Sequence, residues 1–188
     1  AGIRRIEAVT GRYAYDLILR RFKALKEIGS LLEAPPESAP AKVRYLLDDL
    51  SAQRKQIQGL RRELALTEFL RLMQDVPSIQ GVPVLTASLP GADADTLRQM
   101  ADRFRQRYPS GVAVLASVLD GRPVIIAVVT EDLVNRGLHA GELVKTVAQP
   151  LGGGGGGKPT LAQAGGKDPS KVDEALTLVH AWVEKRLS

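Results

Sequence analysis

The stretch GGGGGGKPTLAQAGG, residues 152–166, contains six consecutive glycines, a lysine, a proline and a short apolar run that ends in a second glycine pair. Because glycine has no Cβ, its backbone can reach positive φ and come close to a ligand. Exposed N–H groups in such a segment attract anions, phosphate above all. Apolar periodic segments flank the stretch, at residues 140–147 and 172–187. We therefore interpret it as a loop within a folded domain rather than as a flexible linker.

Residues 152–158 also match most of the P-loop pattern, because Gly157 and Lys158 follow Gly152 after four intervening residues. Pro159 stands where that loop needs Ser or Thr to hold magnesium, and a predicted helix precedes the glycines where the loop needs a strand. We therefore expect no ATP site. An anion or RNA-backbone site and a structural elbow both remain open.

Composition excludes several functional classes. The 188 residues include no cysteine and only two histidines, which excludes disulfides and thiolate zinc sites and argues against a catalytic metal. We see no signal peptide and no apolar run long enough to span a membrane, so we expect a cytoplasmic protein. The net charge is +5, of which +4 falls in residues 1–75. A basic surface favours nucleic acid, and this excess is modest support for it.

The first part of the chain predicts two helices. An apolar stripe at helical spacing covers about residues 15–33, and APPESAP, residues 34–40, ends that helix because proline lacks an N–H. A second helix over about residues 41–74 has apolar residues at alternating spacings of three and four, which is a heptad seam. We expect a long antiparallel hairpin whose seam needs a partner, either a second copy of the chain or the following domain. The predicted association residues are Val43, Leu46, Leu50, Ile57, Leu60 and Leu64.

The period changes after residue 76. Strands are predicted at residues 83–89, 112–119 and 123–129, the last two joined by a turn at Asp120–Gly121, and a short edge strand at residues 161–164. Helices are predicted from Asp93 or Asp95, at residues 140–149, and from about Ser170, where Asp173 follows three residues later. The nearly unbroken apolar strands indicate a sheet covered on both faces. The predicted fold is α/β, with a helical hairpin at residues 15–75 and a small domain with a mixed sheet at residues 76–188.

Two blocks resemble one family. GIRRIEAVTG, residues 2–11, resembles the closing segment of the editing domain of alanyl-tRNA synthetase, and residues 143–176 resemble the DHH-associated domain that ends the same enzyme. The resemblance implies that residues 1–14 are the tail of an editing domain and that the helices are a dimerisation region. It implies a C-terminal segment that binds the outer corner of tRNA, within a parent enzyme that attaches alanine to its tRNA with ATP and edits mischarged tRNA.

The chain also departs from that family's full pattern. The editing domain's zinc-binding HxxxH motif and its later cysteine and histidine are absent, and so is the aminoacylation core. We therefore expect no catalytic residue, no metal and no cofactor in this segment; ATP, magnesium and zinc would belong to parts of the parent outside it. The family's loop commonly has arginine where Lys158 stands, which keeps the charge but changes the geometry available to phosphate.

These considerations predict an RNA-backbone site read by shape, since we expect few exposed aromatic residues for base stacking. Arg103, Arg105 and Arg107 cannot all share one helical face, so some of them are plain surface charges. Two alternatives remain: a general nucleic-acid module like that of DHH-family phosphoesterases, and a purely structural association module. The predicted nucleic-acid-binding residues are Gly152, Gly153, Gly154, Gly155, Gly156, Gly157, Lys158, Lys167, Arg122 and Arg103.

Overall fold

A computed structural model describes residue 4 and residues 7–187 of the chain. Residues 1–3 and 5–6, which are part of the predicted editing-domain tail, lie outside the described residues. The chain divides into two compact units, one up to Gln56 and one from Ile57 onward. Each is described by itself.

The first unit contains helix α1, Gly11–Leu31, a 3-10 turn at Pro36–Ser38 and the first half of helix α2, Ala39–Leu72. Helix α1 begins at Gly11 rather than near Tyr15, with Thr10 as an extended N-cap residue that makes no side-chain cap hydrogen bond. After α1 the chain turns tightly and brings the Ala34 carbonyl oxygen close to Gly29. A Cβ on Gly29 would lie only 2.8 Å from that oxygen, so the turn requires glycine there.

The second unit is built on a six-stranded sheet in the order β1-β2-β3-β4-β6-β5. Strands β2 and β3 are parallel and the other neighbours are antiparallel, so the predicted mixed sheet is confirmed. The β3–β4 turn is as predicted, with positive φ at both Asp120 and Gly121. The strands are β1 Ser78–Ile79, β2 Val82–Ser88, β3 Val112–Leu119, β4 Arg122–Val129, β5 Gly154–Gly157 and β6 Leu161–Gly165. The helices are α3 Ala94–Arg107, α4 Glu131–Asn135, α5 Ala140–Ala148 and α6 Val172–Leu187.

Both faces of the sheet are covered, as the apolar strands predicted. One core lies between the sheet and helices α5 and α6; the other lies between the sheet, α3 and the end of α2. Strand β3 contributes to both, because successive side chains point to opposite faces. Its Val112 and Val114 enter the first core, and Ala113 and Leu115 enter the second.

The predicted domain boundary after residue 75 differs from the observed division at residues 56 and 57. The last turns of α2 belong to the α/β unit because Ala65 and Phe69 are buried in the α3-side core. The Tyr108 hydroxyl donates to the Met73 carbonyl at 3.0 Å, and Arg62 of α2 pairs with Asp93 at 2.6 Å. Periodicity alone did not reveal this change of environment within one continuous helix.

The glycine run also differs from its prediction, because it forms a strand rather than a loop. Strand β5 pairs antiparallel with β6, so β6 is an inner strand and β5 is the edge. Lys158 and Leu161 exchange backbone hydrogen bonds at 2.9 and 3.3 Å and close a two-residue hairpin turn. Glycine is depleted in strands, so local propensity does not indicate this pairing.

The start of the last helix is also corrected. Asp168, rather than Ser170, supplies the cap: its side chain accepts from the Ser170 backbone N–H at 2.9 Å. A 3-10 turn at Pro169–Lys171 then leads into α6. The prediction placed the helix start near the right residue but chose the wrong capping side chain.

Candidate nucleic-acid interface

The glycines of β5, together with Gly153 just before the strand, fall into two classes according to what an added side chain would meet. A Cβ would lie 1.8 Å from a backbone oxygen at Gly153, 2.2 Å at Gly155 and 2.6 Å at Gly157, in each case on the strand β6 side. At Gly154 and Gly156 a Cβ would meet nothing within 4 Å. The fold therefore requires glycine at alternate positions and leaves the two between them sterically free.

Gly152 has a separate structural role at the end of α5. It adopts positive φ, and its N–H donates to the Gln149 carbonyl at 3.1 Å. The next N–H, that of Gly153, donates to Ala148 at 3.1 Å. Helices commonly end with a residue in the left-handed conformation, and glycine adopts this conformation without the steric penalty of a Cβ. Gly152 therefore belongs to the turn and not to the strand.

Helix α5 packs closely against the glycine strand at its other end. A Cβ on Gly141 would lie 3.3 Å from the Gly157 carbonyl oxygen, and the Ala140 N–H donates to the Pro159 carbonyl at 2.7 Å. Gly153 and Ala148 connect the same two elements at the far end. One face of β5 is thus committed to packing inside the protein.

The other face of β5 is open. Ala162 and Ala164 of β6 point into the α5–α6 core, so Gln163 points to the α3 side of the sheet. Gly156 is paired with Gln163, which places Gly156 on that α3 side too. All six glycines and Lys158 are exposed. Strand alternation places Gly154 and Lys158 on the same side, so a bare stretch of backbone faces solvent there.

Helix α3 forms a wall beside this bare backbone. The Arg98 guanidinium donates to the Gln163 side-chain oxygen at 2.5 Å and pairs with Asp95 at 2.7 Å. About two turns further along the same helix, Arg105 pairs with Asp102. We call the surface formed by Gly154, Gly156, Gln163, Lys158, Arg98 and Arg105 the glycine groove.

The predicted basic residues do not converge on one point. Lys158 lies at the tip of the β5–β6 hairpin, whereas Lys167 follows the far end of β6, where its N–H donates to the Leu151 carbonyl at 2.8 Å. The six residue steps from Gly152 to Lys158 span about 20 Å at roughly 3.3 Å per residue. Arg122 begins β4 at the same end as Lys167, since Gly166 donates to the Pro123 carbonyl at 3.1 Å. One phosphate cannot contact both ends.

Arg103 lies on the other flank of α3. It lines a cavity of about 340 Å³ together with Arg62, Glu63 and Leu66 of α2. The structure therefore separates Arg103 from the glycine groove and brings Arg98, which the sequence did not single out, next to Gln163. The helical spacing of Arg98 and Arg105, seven residues apart, was the available signal, but it does not reveal which side of α3 faces β6.

Two carboxylates of the second unit cap helical starts, Asp93 at α3 and Asp168 at the 3-10 turn before α6. Hydrogen bonds from the Thr96 hydroxyl and then the Thr96 backbone N–H hold the pKa of Asp93 below its ordinary value, with Arg62 adding to the effect. The Ser170 hydroxyl and N–H lower the pKa of Asp168 in the same way. Both carboxylates are structural, because each satisfies N–H groups at a helix start.

Exposed aromatic residues are distributed unevenly. In the first unit, Tyr13, Tyr15, Phe22 and Tyr45 are exposed, which differs from the expectation that few would be. In the second unit the aromatic side chains are buried or half-buried, and none lines the glycine groove as defined. The groove therefore offers backbone and charge rather than stacking platforms.

The predicted association stripe is exposed in the structure. Its members in the first unit are 40–45% exposed at Val43, Leu46 and Leu50. In the second unit Ile57, Leu60 and Leu64 are 50–71% exposed.

Within residues 4 and 7–187, no group of three or more His, Cys, Asp or Glu could hold a metal ion, and no helix has the length and apolarity needed to cross a membrane.

Comparison with known proteins adds the family context. Residues 81–185 match the DHHA1 domain. The chain is 46% identical over 184 residues to an alanine–tRNA ligase of Geobacillus kaustophilus, covering 98% of this chain and 21% of the relative. It is 44% identical over 187 residues to that of Pelotomaculum thermopropionicum, covering 100% of this chain and 21% of the relative.

A solved structure has a similar fold. The C-Ala domain of Aquifex aeolicus alanyl-tRNA synthetase superposes with a TM-score of 0.55 at 28% identity, covering 58% of this chain and 98% of that domain. The chain spans about a fifth of the length of the curated relatives. The resemblance inferred from the sequence is confirmed, and so is the predicted α/β class with a long helix and a mixed sheet; the antiparallel packing of the two helices as a hairpin stays a prediction.

Proposed function

The chain belongs to the DHHA1 domain family, and from this we propose that it is the non-catalytic, tRNA-binding C-terminal region of an alanine–tRNA ligase. The whole enzyme would attach alanine to its tRNA with ATP and edit mischarged tRNA through domains outside this segment. The names of the relatives and of the C-Ala domain support this proposal. The cytoplasmic location expected from the sequence stays a prediction.

We place the RNA contact in the glycine groove. The observation that carries this assignment is that Gly154 and Gly156 are glycine where a side chain would meet nothing within 4 Å. Glycine in a strand interior costs roughly 0.5–1 kcal/mol relative to alanine. Packing inside the protein does not require glycine at these two positions. We therefore infer that the absence of side chains there leaves room for a ligand that lies directly on the backbone. An RNA sugar–phosphate strand is such a ligand.

The charges in the groove suit phosphate. Arg98 and Arg105 form its wall and Lys158 stands at its end, while both arginines are already paired with aspartates of the same helix. These pairs are exposed, so each stabilises the free protein by no more than about 1 kcal/mol. Phosphate oxygens can therefore compete for the guanidinium groups. Binding of this kind is set by shape and charge rather than by base sequence.

The decisive test replaces Gly156 by valine. Valine favours strands, so we expect Gly156→Val to leave thermal stability unchanged or slightly raised. We expect tRNA affinity to fall about tenfold, equivalent to ~1.4 kcal/mol, because the side chain occupies the floor of the groove. Filter binding with tRNA and circular-dichroism melting give the two readouts. Unchanged tRNA affinity in a stable Gly156→Val protein would show that RNA does not lie on this strand.

The two lysines that lie at opposite ends of the β5–β6 strand pair can be tested separately. Lys158→Ala and Lys167→Ala should each lower the slope of log K against log salt by about 0.7–0.9 if each lysine contacts one phosphate. Because the two lysines lie at opposite ends of the strand, we expect their effects to add.

Single-stranded DNA of equal length is the comparison ligand that separates tRNA binding from general nucleic-acid binding. Equal affinity for DNA and tRNA would favour the general nucleic-acid module of DHH-family enzymes.

A homodimer formed through α2 is the second part of the proposal. Its support is the row of exposed apolar side chains at heptad spacing, which an isolated helix leaves in water. Leu46→Asp with Leu50→Asp would place charges in the seam. We expect sedimentation to change from dimer to monomer while the tRNA affinity per chain is retained. A wild-type chain that sediments as a monomer at micromolar concentration contradicts the dimer.

A further inference from the structure

A second cleft adjoins the tip of the glycine groove. It has a volume of about 640 Å³, which is within the usual range of roughly 300–1,000 Å³ for ligand pockets. Thr160, in the hairpin turn next to Lys158, forms one side of it. The α3 side and the β4–α4 junction supply Asp102, Arg105, Gln106, Pro109 and Glu131. We call this the tip cleft.

The chemistry of the tip cleft differs from that of the groove. Arg105 offers hydrogen-bond donors, Glu131 offers acceptors, and Gln106 offers both. Pro109 and Val129 add apolar surface. The Thr130 hydroxyl is already engaged, since it accepts from the Gly111 N–H at 3.0 Å. A bare phosphate would meet two carboxylates here, whereas the edge of a nucleobase carries donors and acceptors side by side.

We propose that the tip cleft accepts one unstacked purine base of the RNA strand whose backbone lies in the glycine groove. The inference rests on the proposed RNA-binding function and adds a base-binding position to it. The ring nitrogen N7 is a hydrogen-bond acceptor that purines have and pyrimidines lack, and arginine is a common donor to it. Arg105 uses one terminal nitrogen on Asp102, and its remaining N–H groups stay available to N7. Glu131 and Gln106 accept from the exocyclic amino group, which is N6 beside N7 in adenine and N2 on the Watson–Crick edge, away from N7, in guanine.

The test titrates the full chain with GMP, AMP and CMP and follows backbone amide shifts by NMR. We expect GMP and AMP to move the amides of Gln106, Thr130 and Glu131, and CMP to bind at least about tenfold more weakly, in line with the ~1–3 kcal/mol that a good base contact is worth. Arg105→Ala should weaken GMP binding by a similar factor. Its ion pair with Asp102 is exposed, so the variant should fold normally.

Arg103→Ala is the matched control, because it removes the same charge from the same helix on the flank that faces α2. GMP affinity should be unchanged in this variant. Equal losses in Arg103→Ala and Arg105→Ala would mean that overall charge, not the cleft, binds the nucleotide, and the proposal would be overturned. CMP binding as tight as GMP binding would also overturn it.

The failure of this inference can be distinguished from failure of the RNA-binding proposal. If tRNA affinity falls in Gly156→Val but GMP produces no shifts around Gln106, the groove stands and the tip cleft is rejected. Alternatively, GMP could bind the tip cleft in an Arg105-dependent way while tRNA affinity is unchanged in Gly156→Val and Lys158→Ala. The base-binding position would then be supported and the glycine groove would be rejected as the RNA contact.

Discussion

Strands β3 and β5 belong to one sheet but are specified in opposite ways. Strand β3 is held by what its side chains bury, with residues 112–116 fully buried against helices on both faces. Strand β5 depends on the absence of side chains, because a side chain at Gly155 or Gly157, or at Gly153 just before the strand, would collide with the backbone of β6. An edge strand can thus be fixed by backbone packing on one face while its other face stays bare, as the proposed RNA contact requires.

The largest expected effect is in β3. Leu115 is fully buried in the α3-side core, so Leu115→Ala should lower the free energy of unfolding by about 2–5 kcal/mol through lost burial and a cavity. Urea denaturation measures it. Leu31→Ala removes the same atoms from a side chain that is 79% exposed and lies outside the predicted association residues, and it should change stability by less than about 0.5 kcal/mol. Similar losses in the two variants would contradict the core described for β3.

The next effect tests the steric requirement in β5. Gly155→Ala places a methyl group 2.2 Å from the Gln163 carbonyl oxygen, so we expect a loss of about 1–3 kcal/mol as the strand pair is forced apart. Gly154→Ala, one residue away, adds the same methyl group in open space and should stay within ~0.5 kcal/mol of the wild type. Equal free energies of unfolding in the two variants, measured by urea denaturation, would contradict the steric requirement for glycine at position 155.

The third effect concerns the cap of α3, the helix that walls the groove. Asp93→Ala should cost about 0.5–2 kcal/mol at pH 7, because the Thr96 N–H loses its acceptor. The pKa of Asp93 is lowered in the folded state, so the carboxylate contributes stability above its ordinary pKa and loses it as pH falls through the lower folded value. Asp93→Asn keeps a cap acceptor that does not titrate.

Thermal melts of wild type and Asp93→Asn between pH 7 and pH 2 measure that contribution. The stability advantage of the wild type over Asp93→Asn should persist to about pH 4 and shrink below it. An advantage that does not change with pH would show that the carboxylate charge is not what stabilises the cap.

The smallest effect tests how α3 tunes the bare face of β5. Asp102→Asn releases Arg105 from its ion pair, and we expect tRNA affinity to rise up to about fivefold, the worth of an exposed pair. Asp48→Asn makes the same charge change at an exposed position of α2 in the other unit. It should raise tRNA affinity less than Asp102→Asn does. Equal gains would assign the effect to net charge rather than to Arg105.

Side-chain pattern predicted the apolar part of the fold well. The run at residues 112–119 matches β3 residue for residue, and the Asp120–Gly121 turn has the predicted geometry. Burial on both faces leaves few alternatives for such a segment. The glycine run had no comparable signal, because its strand pairing depends on β6 and on the turn that follows Lys158.

The candidate site was predicted only in part. The sequence pointed to Lys158 and the glycines, but it could not separate Gly154 and Gly156 from Gly153 and Gly155, since only the neighbouring strand distinguishes them. It also chose Arg103 over Arg98. Residues five apart lie on different sides of a helix, and the side that faces β6 is set by how α3 packs on the sheet.

Local periodicity, turn chemistry and motif order were enough to predict the helices, the buried strands and the family resemblance. The three-dimensional arrangement was needed to show that the glycines form an edge strand, that Gly154 and Gly156 are sterically free, and that the end of α2 joins the α/β core. These features depend on contacts between segments far apart in the chain. A backbone without side chains has no pattern of its own, so its conformation is set by the elements that pack beside it.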